Sequence, residues 1–144
     1  MDLFVYGTLM VPEVMHRVCG YACVGEPALL YDYRRRRVRG EVYPAVVASV
    51  GDAVGGILYR GVGPAQLVLL DAFEGAMYRR EMVTVAVGVR VQPAASYVCA
   101  PGLAHRLSDA DWSLDDFVAE GLRSFLADYP GFSALSDETP HGYR

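Results

Sequence analysis

Val83-Thr84-Val85-Ala86-Val87-Gly88-Val89-Arg90-Val91 is the stretch on which the fold turns. Five valines alternate strictly with Thr84, Ala86, Gly88 and Arg90, a period of two that puts the β-branched side chains on one face of an extended strand. Such a face needs an apolar partner, so the stretch predicts a strand at the centre of a curved sheet. Ala94 to Cys99 reads as the next strand, after Gln92-Pro93. Upstream, Gly63-Pro64 opens the clearest helix, Pro64 to Glu74, which Gly75 stops. Leu3 to Tyr6 is a short apolar strand that Gly7-Thr8 ends, and a helix entered at Pro12 carries Val14, Met15 and Val18 to a stop at Gly20. A strand over Pro27 to Val38 follows. Turns at Tyr43-Pro44-Ala45 and Gly51-Asp52 frame Val46-Val47 and a strand over Val54 to Tyr59. The last helix begins at Ser113, whose hydroxyl is placed to cap the amides near Asp116; Phe117, Val118, Gly121, Leu122, Phe125 and Leu126 form its stripe, and it ends at Tyr129-Pro130-Gly131. About six strands with three helices between them, on connections too short for mostly parallel pairing, give an α+β class with a largely antiparallel, strongly curved sheet or small barrel. One domain over residues 1–131 is expected, with a polar tail over 132–144.

The composition removes whole classes of chemistry. Of 144 residues, 53% are hydrophobic, enough for one buried core and too few residues for two ordinary domains. All 13 basic residues are arginine, and the chain has neither lysine nor asparagine. A Schiff base, a GK phosphate loop, a Ser-Lys pair, a Cys-His-Asn triad and an N-glycosylation acceptor are therefore excluded. The net charge of −4 disfavours nucleic acid and anionic membrane surfaces as partners, since counterion-release binding needs a basic excess. Cys19, Cys23 and Cys99 read as three reduced thiols, because no second Cys or His pair follows at zinc-ligand spacing and His16, His105 and His141 are scattered. Met1-Asp2-Leu3-Phe4 shows no basic stretch ahead of an apolar one, and no apolar run approaches the roughly 20 residues of a spanning helix. The expectation is a cytoplasmic protein with no metal and no organic cofactor.

Two segments can carry chemistry. Tyr6-Gly7-Thr8-Leu9 is an ordinary strand-ending turn or, on a functional reading, a set of backbone N–H groups converging on a carboxylate or a developing oxyanion. The second segment is Leu70-Asp71-Ala72-Phe73-Glu74-Gly75. On a helical wheel from Leu67, Leu70, Phe73 and Glu74 fall at about 300°, 240° and 340°, inside the apolar arc, and Asp71 falls at about 40°, on its edge. A carboxylate on an apolar face at a helix C-terminus is opposed by desolvation and by the macrodipole, which raises its pKa and makes it a stronger base once ionised. The competing reading is a Glu that escapes to solvent at a frayed end. The run Arg34-Arg35-Arg36-Arg37-Val38-Arg39 reads as a solvated strand edge, with an arginine that helps bind an anionic substrate as the middle alternative and a nucleic-acid patch, disfavoured by the acidic total, as the last. Trp112 reads as an anchor for the last helix.

Phe4-Val5-Tyr6-Gly7-Thr8-Leu9-Met10, then Tyr43-Pro44-Ala45, then Leu70 to Gly75 followed by Tyr78-Arg79-Arg80 resemble, in order, the motifs of the gamma-glutamylcyclotransferase-like family. The resemblance spans residue 3 to about residue 100 and is nearest the avirulence-induced-gene-like branch, related to gamma-glutamylamine cyclotransferase. It implies a small mixed barrel with peripheral helices. It also implies a substrate-binding loop, here Tyr6, Gly7, Thr8, Leu9, Met10 and Val11, and a catalytic glutamate acting as acid and base, here Glu74. The substrate implied is a small gamma-glutamyl amide, closed by intramolecular acyl transfer to 5-oxoproline with release of an amine. The apolar and acidic Met10-Val11-Pro12-Glu13 departs from the basic or Gly-rich stretch of relatives acting on gamma-glutamylamines and leaves the leaving group open. A non-catalytic member of the fold that binds a small metabolite is the alternative.

Overall fold

The computed structural model describes residues 1–20 and 24–128; the tail assigned to 132–144 and the helix end at Tyr129-Pro130-Gly131 lie outside them. Five strands close into one barrel: β1 (Leu3–Val5), β2 (Gly25–Arg37), β3 (Pro44–Tyr59), β4 (Tyr78–Val87) and β5 (Arg90–Cys99), in the spatial order β1-β3-β2-β4-β5. Four of the five seams are antiparallel. The fifth, β5 against β1, is parallel and closes the ring through Leu3 and Ala95. Helices α1 (Pro12–Cys19) and α2 (Pro64–Glu74) pack outside. A third helical segment runs through α3 (Leu114–Asp116), a π-helical turn (Phe117–Gly121) and α4 (Leu122–Asp128). The α+β class and the largely antiparallel mixed barrel with peripheral helices are what the sequence led us to expect. No described helix is long and apolar enough to cross a membrane.

β1 shows why the barrel holds. All three of its residues are buried, because Phe4 and the following Tyr6 point into the barrel interior with Leu30, Val46, Leu58, Val83 and Val85, while Leu3 and Val5 face the helices. On that outer side they meet Val14, Val18, Leu67, Leu70 and Phe73 from α1 and α2. A strand covered on both faces loses its alternation and reads as a continuous apolar run.

The valine run is corrected. It is two strands, not one: Gly88 takes φ +61° at the first central position of a two-residue hairpin that pairs Val87 with Arg90, the place where a type II′ turn needs glycine. A two-residue turn reverses the parity of the faces. Val83 and Val85 are buried in the barrel, whereas Val89 is fully exposed and Val91, opposite Ala86, is 65% exposed. That split leaves the number of strands unchanged, and the fall from six expected strands to five comes from elsewhere. Val46-Val47 and Val54 to Tyr59 belong to the single β3, which stays paired with β2 on both sides of an excursion at Ser49–Asp52. There Asp32 sits at φ +66° and its carboxylate accepts from the Gly51 N–H, so the turn at Gly51-Asp52 exists but does not end the strand.

Two further expectations change. The wide turn of Phe117–Gly121 sends Phe117, Gly121 and Phe125 inward and leaves Val118 half exposed, so Val118 drops out of the apolar stripe. The arginine run is not a solvated edge. Beyond Leu29 and Leu30, β2 has no β4 neighbour, and the segment 106–111 takes that place. Its backbone bonds to Arg37 and Arg39, while the side chain of Arg34 bonds the Asp109 carbonyl and that of Arg36 the Ser108 carbonyl. Trp112 anchors as expected, its indole N–H donating to the Val42 carbonyl at 2.7 Å and its ring tilted against Phe117. Ser113 caps the Asp116 amide.

Candidate active site

At the end of the barrel where β1 and β5 finish, a pocket of about 300 Å³, counted out to its open mouth, is lined by Phe4, Val5, Tyr6, Gly7, Thr8, Leu9, Tyr43, Pro44, Glu74, Tyr78 and Tyr97. Each of the three motifs contributes a wall. The chain leaves β1 at Tyr6 and winds through one 3-10 turn, Thr8–Met10, before α1. Its Gly7 lies against the Pro44 ring; a Cβ there would come within 2.9 Å of two ring carbons, so only glycine fits without displacing the proline. Tyr78 fastens the same wall by donating its hydroxyl to the Pro44 carbonyl at 2.6 Å.

Met10 and Val11 part company with the rest of the loop. Val11 is buried as the residue that opens α1, and Met10 packs against the outer apolar core; neither lines the pocket. The N–H groups of Gly7, Thr8 and Leu9 have no acceptor among the described residues, whereas those of Met10 and Val11 bond the Gly7 and Thr8 carbonyls. Three donors thus stand unpaired along one wall. No cationic side chain lines the pocket among the described residues, so an anion there meets only neutral donors, backbone amides and side-chain hydroxyls.

Glu74 lines the same pocket from the last residue of α2, where Gly75 turns the chain at φ +72°. Leu70 and Phe73 are buried on the same side of the helix, which directs Glu74 inward rather than to solvent. Its pKa is raised to about 8, first by burial and then by the charge of Asp71. Asp71 itself is exposed; its Oδ1 accepts from the Tyr97 hydroxyl at 2.6 Å and pairs with Arg80 at 3.3 Å. The phenols around Glu74 stay protonated. Burial pushes Tyr6 and Tyr97 well up and Tyr43 to about 12, and the Glu74 charge adds to all three. Tyr6 donates its hydroxyl to the Tyr97 carbonyl, which ties the residue after β1 to β5 within the pocket lining.

Sequence reasoning named Tyr43, Pro44 and Tyr78 as motif residues without giving them a place, and passed over Tyr97. Its place follows from strand register and not from local sequence: Tyr97 pairs with Arg80 across β4 and β5, next to the carboxylate that Arg80 holds. No cluster of three or more His, Cys, Asp or Glu residues able to hold a metal occurs among the described residues.

Known proteins share both the sequence and the shape. AIG2-like protein D of Arabidopsis thaliana is 36% identical over 84 residues, covering 58% of this chain and 55% of that protein. AIG2-like protein C of the same plant is also 36% identical over 84 residues, 58% of this chain and 49% of that protein. The chain spans about half the length of the curated relatives it matches. Among solved structures, a solution structure from Arabidopsis thaliana superposes with a TM-score of 0.66 at 24% identity, covering 98% of this chain and 84% of that one. An AIG2-like protein from Mus musculus gives 0.63 at 24% over 85% and 91%. A yeast gamma-glutamyl cyclotransferase specific to glutathione gives 0.60 at 13% over 100% and 96%. These structural likenesses establish the fold. Residues 3–114 match the model of the family described as gamma-glutamyl cyclotransferase, AIG2-like, and the chain belongs to that family.

Proposed function

We propose that the pocket closes a gamma-glutamyl amide on itself, giving 5-oxoproline and a free amine. The observation that carries this reading is the meeting, in the lining of one small pocket, of a raised-pKa carboxylate and a run of unpaired amides. The substrate brings its own nucleophile. Its α-nitrogen attacks the γ-carbonyl carbon within the same molecule, so proximity is supplied once the chain is folded, and the protein has to select that conformer, move protons and hold negative charge.

Glu74 takes a proton from the α-ammonium and frees the attacking lone pair. As the ring C–N bond forms, negative charge moves to the γ-oxygen. When the tetrahedral centre collapses, the bond to the departing nitrogen breaks and Glu74 returns a proton to it. Two protons leave the attacking nitrogen in all and two reach the departing one, so the amine leaves as an ammonium and Glu74 ends as it began. A carboxylate with a pKa of about 8 suits both halves of this shuttle near neutral pH. The amides of Gly7, Thr8 and Leu9 serve the glutamyl carboxylate or the oxyanion.

The test is incubation with a panel of gamma-glutamyl compounds, from dipeptides to simple alkyl amides, with 5-oxoproline and the freed amine both quantified. Release of the two in equal amounts from at least one compound is expected. Tight binding of the panel with no 5-oxoproline from any member would overturn the catalytic reading in favour of a metabolite-binding pocket.

A further inference from the structure

Arg35 stands outside the pocket lining yet reaches its anion wall from behind. From β2 its Nη1 donates to the Tyr6 carbonyl at 2.9 Å, while Nε and Nη2 grip the two Asp111 carboxylate oxygens at 2.8 and 3.3 Å. The guanidinium also lies over the Trp112 ring, 5.4 Å from its centroid, and the side chain is only 19% exposed. Three contacts hold the group: the carboxylate takes one edge, the indole one plane and the loop carbonyl the Nη1 tip.

The Tyr6–Gly7 peptide is trans, as are all the described peptide bonds, so its N–H points opposite to its C=O. With the carbonyl drawn toward Arg35, the Gly7 N–H is turned away from Arg35, and Gly7 is a pocket-lining residue whose N–H has no acceptor among the described residues. We propose that Arg35 is the positioning residue of this site: it orients the Tyr6–Gly7 peptide so that the Gly7 amide faces the pocket, and strengthens that amide as a donor. The strengthening follows from polarisation, since a cation donating to a peptide oxygen draws electron density from the same peptide's N–H. A pocket without a cation of its own thereby gains part of the effect of one while its interior stays free of a charge that would neutralise Glu74. The inference rests on the cyclotransferase reading only for what the anion is, and on the hydrogen bonds for the rest.

The experiment uses the full chain and 5-oxoproline, which carries both a carboxylate and the lactam carbonyl, as the probe. Its binding is followed by the amide resonance of Gly7, beside turnover on any active gamma-glutamyl compound and a thermal melt. In the wild type the Gly7 resonance is expected to shift on titration. Arg35→Met keeps the stem over Trp112 and should weaken probe binding about tenfold to a hundredfold, the range for losing a hydrogen bond to a charged group, with KM rising more than kcat falls. Arg35→Lys should recover only part of this, because one ammonium cannot hold Asp111 and the Tyr6 carbonyl together. Free guanidinium added to Arg35→Met should restore binding, which a merely unfolded variant would not allow. Should Arg35→Met collapse the melt, Asp111→Asn carries the same test by loosening Arg35 without touching β2 or the loop. Unchanged affinity in these variants, or a Gly7 resonance indifferent to the probe in the wild type, overturns the proposal. Arg35-dependent binding with no turnover leaves it standing and removes the cyclotransferase reading instead.

Discussion

The last turn of α2 presents a carboxylate to each of two surroundings. On the pocket side Glu74 sits beside Leu70 and Phe73 with protonated phenols around it, and its carboxyl holds a proton up to about 8. On the outer side Asp71 stands in solvent, gripped by the Arg80 guanidinium and the Tyr97 hydroxyl. The two differ in hydration and in partners far more than in chemistry. Desolvation without a counter-cation makes a proton carrier; hydration with one makes a fixed charge that orients its neighbour. The pair also interact, since the Asp71 charge is the second cause of the upward shift at Glu74.

Glu74→Gln is the largest break in that contrast. Glutamine keeps the size and cannot carry the proton, so 5-oxoproline release should fall by more than the roughly 10²- to 10⁴-fold of a single proton-transfer step, because the proposed mechanism rests base and acid roles on one group. The melt should hold or rise slightly, as folding no longer has to protonate a carboxylate that is ionised in the unfolded chain. Near-normal turnover in the folded variant would end the mechanism. Gly7→Ala tests the loop that lines the same pocket: a Cβ pressed against the Pro44 ring should cost about 1–3 kcal/mol in stability and weaken binding, read by melt and KM. An unperturbed variant would mean that this wall yields.

The pH dependence sharpens the contrast without mutation. In the fold Glu74 keeps its proton up to about 8, whereas an unperturbed glutamate loses it near 4.5. Between those values the folded state binds more protons, so the contribution of Glu74 to stability falls as pH rises through that window. Turnover by the proposed mechanism should run the other way, because the basic form grows toward a plateau above about 8. Melts of the wild type and Glu74→Gln across this range should diverge with a slope of that sign, and parallel curves would show that burial does not perturb the group.

How much of this was legible in the sequence depends on whether the deciding interaction was local. Pro64 to Glu74 was readable to the residue, since Gly63-Pro64 and Gly75 punctuate it and the wheel places Glu74 with Leu70 and Phe73. The split at Gly88 was not, because alternation of valine continues in the letters while the hairpin exchanges the faces. The arginine run misled for a different reason. Its partners at Asp109 and Asp111 lie more than seventy residues away, and strand periodicity says which side an arginine faces without saying what will cover it. Tyr97 belongs to the same class: its place follows from pairing with Arg80, a fact of register.

Asp71→Asn carries the smallest expected effect and tests the comparison most directly. Asparagine retains an oxygen for the Tyr97 hydroxyl, so the phenol stays in place, but the bond loses its charge assistance and Arg80 loses its partner. A loss of turnover within about tenfold follows, as one charge-assisted hydrogen bond becomes an ordinary one outside the reacting atoms. The same change removes the negative charge that helps raise Glu74, so its pKa should fall and the rising limb of the pH–rate profile should move to lower pH. Burial, the larger cause, is untouched, and the displacement should leave the limb well above the position of an unperturbed glutamate. Paired pH–rate profiles of the wild type and Asp71→Asn read both quantities at once. An unmoved limb would mean that solvent screens the two carboxylates from one another, and a loss as deep as that of Glu74→Gln would transfer the proton chemistry to the outer side of the helix.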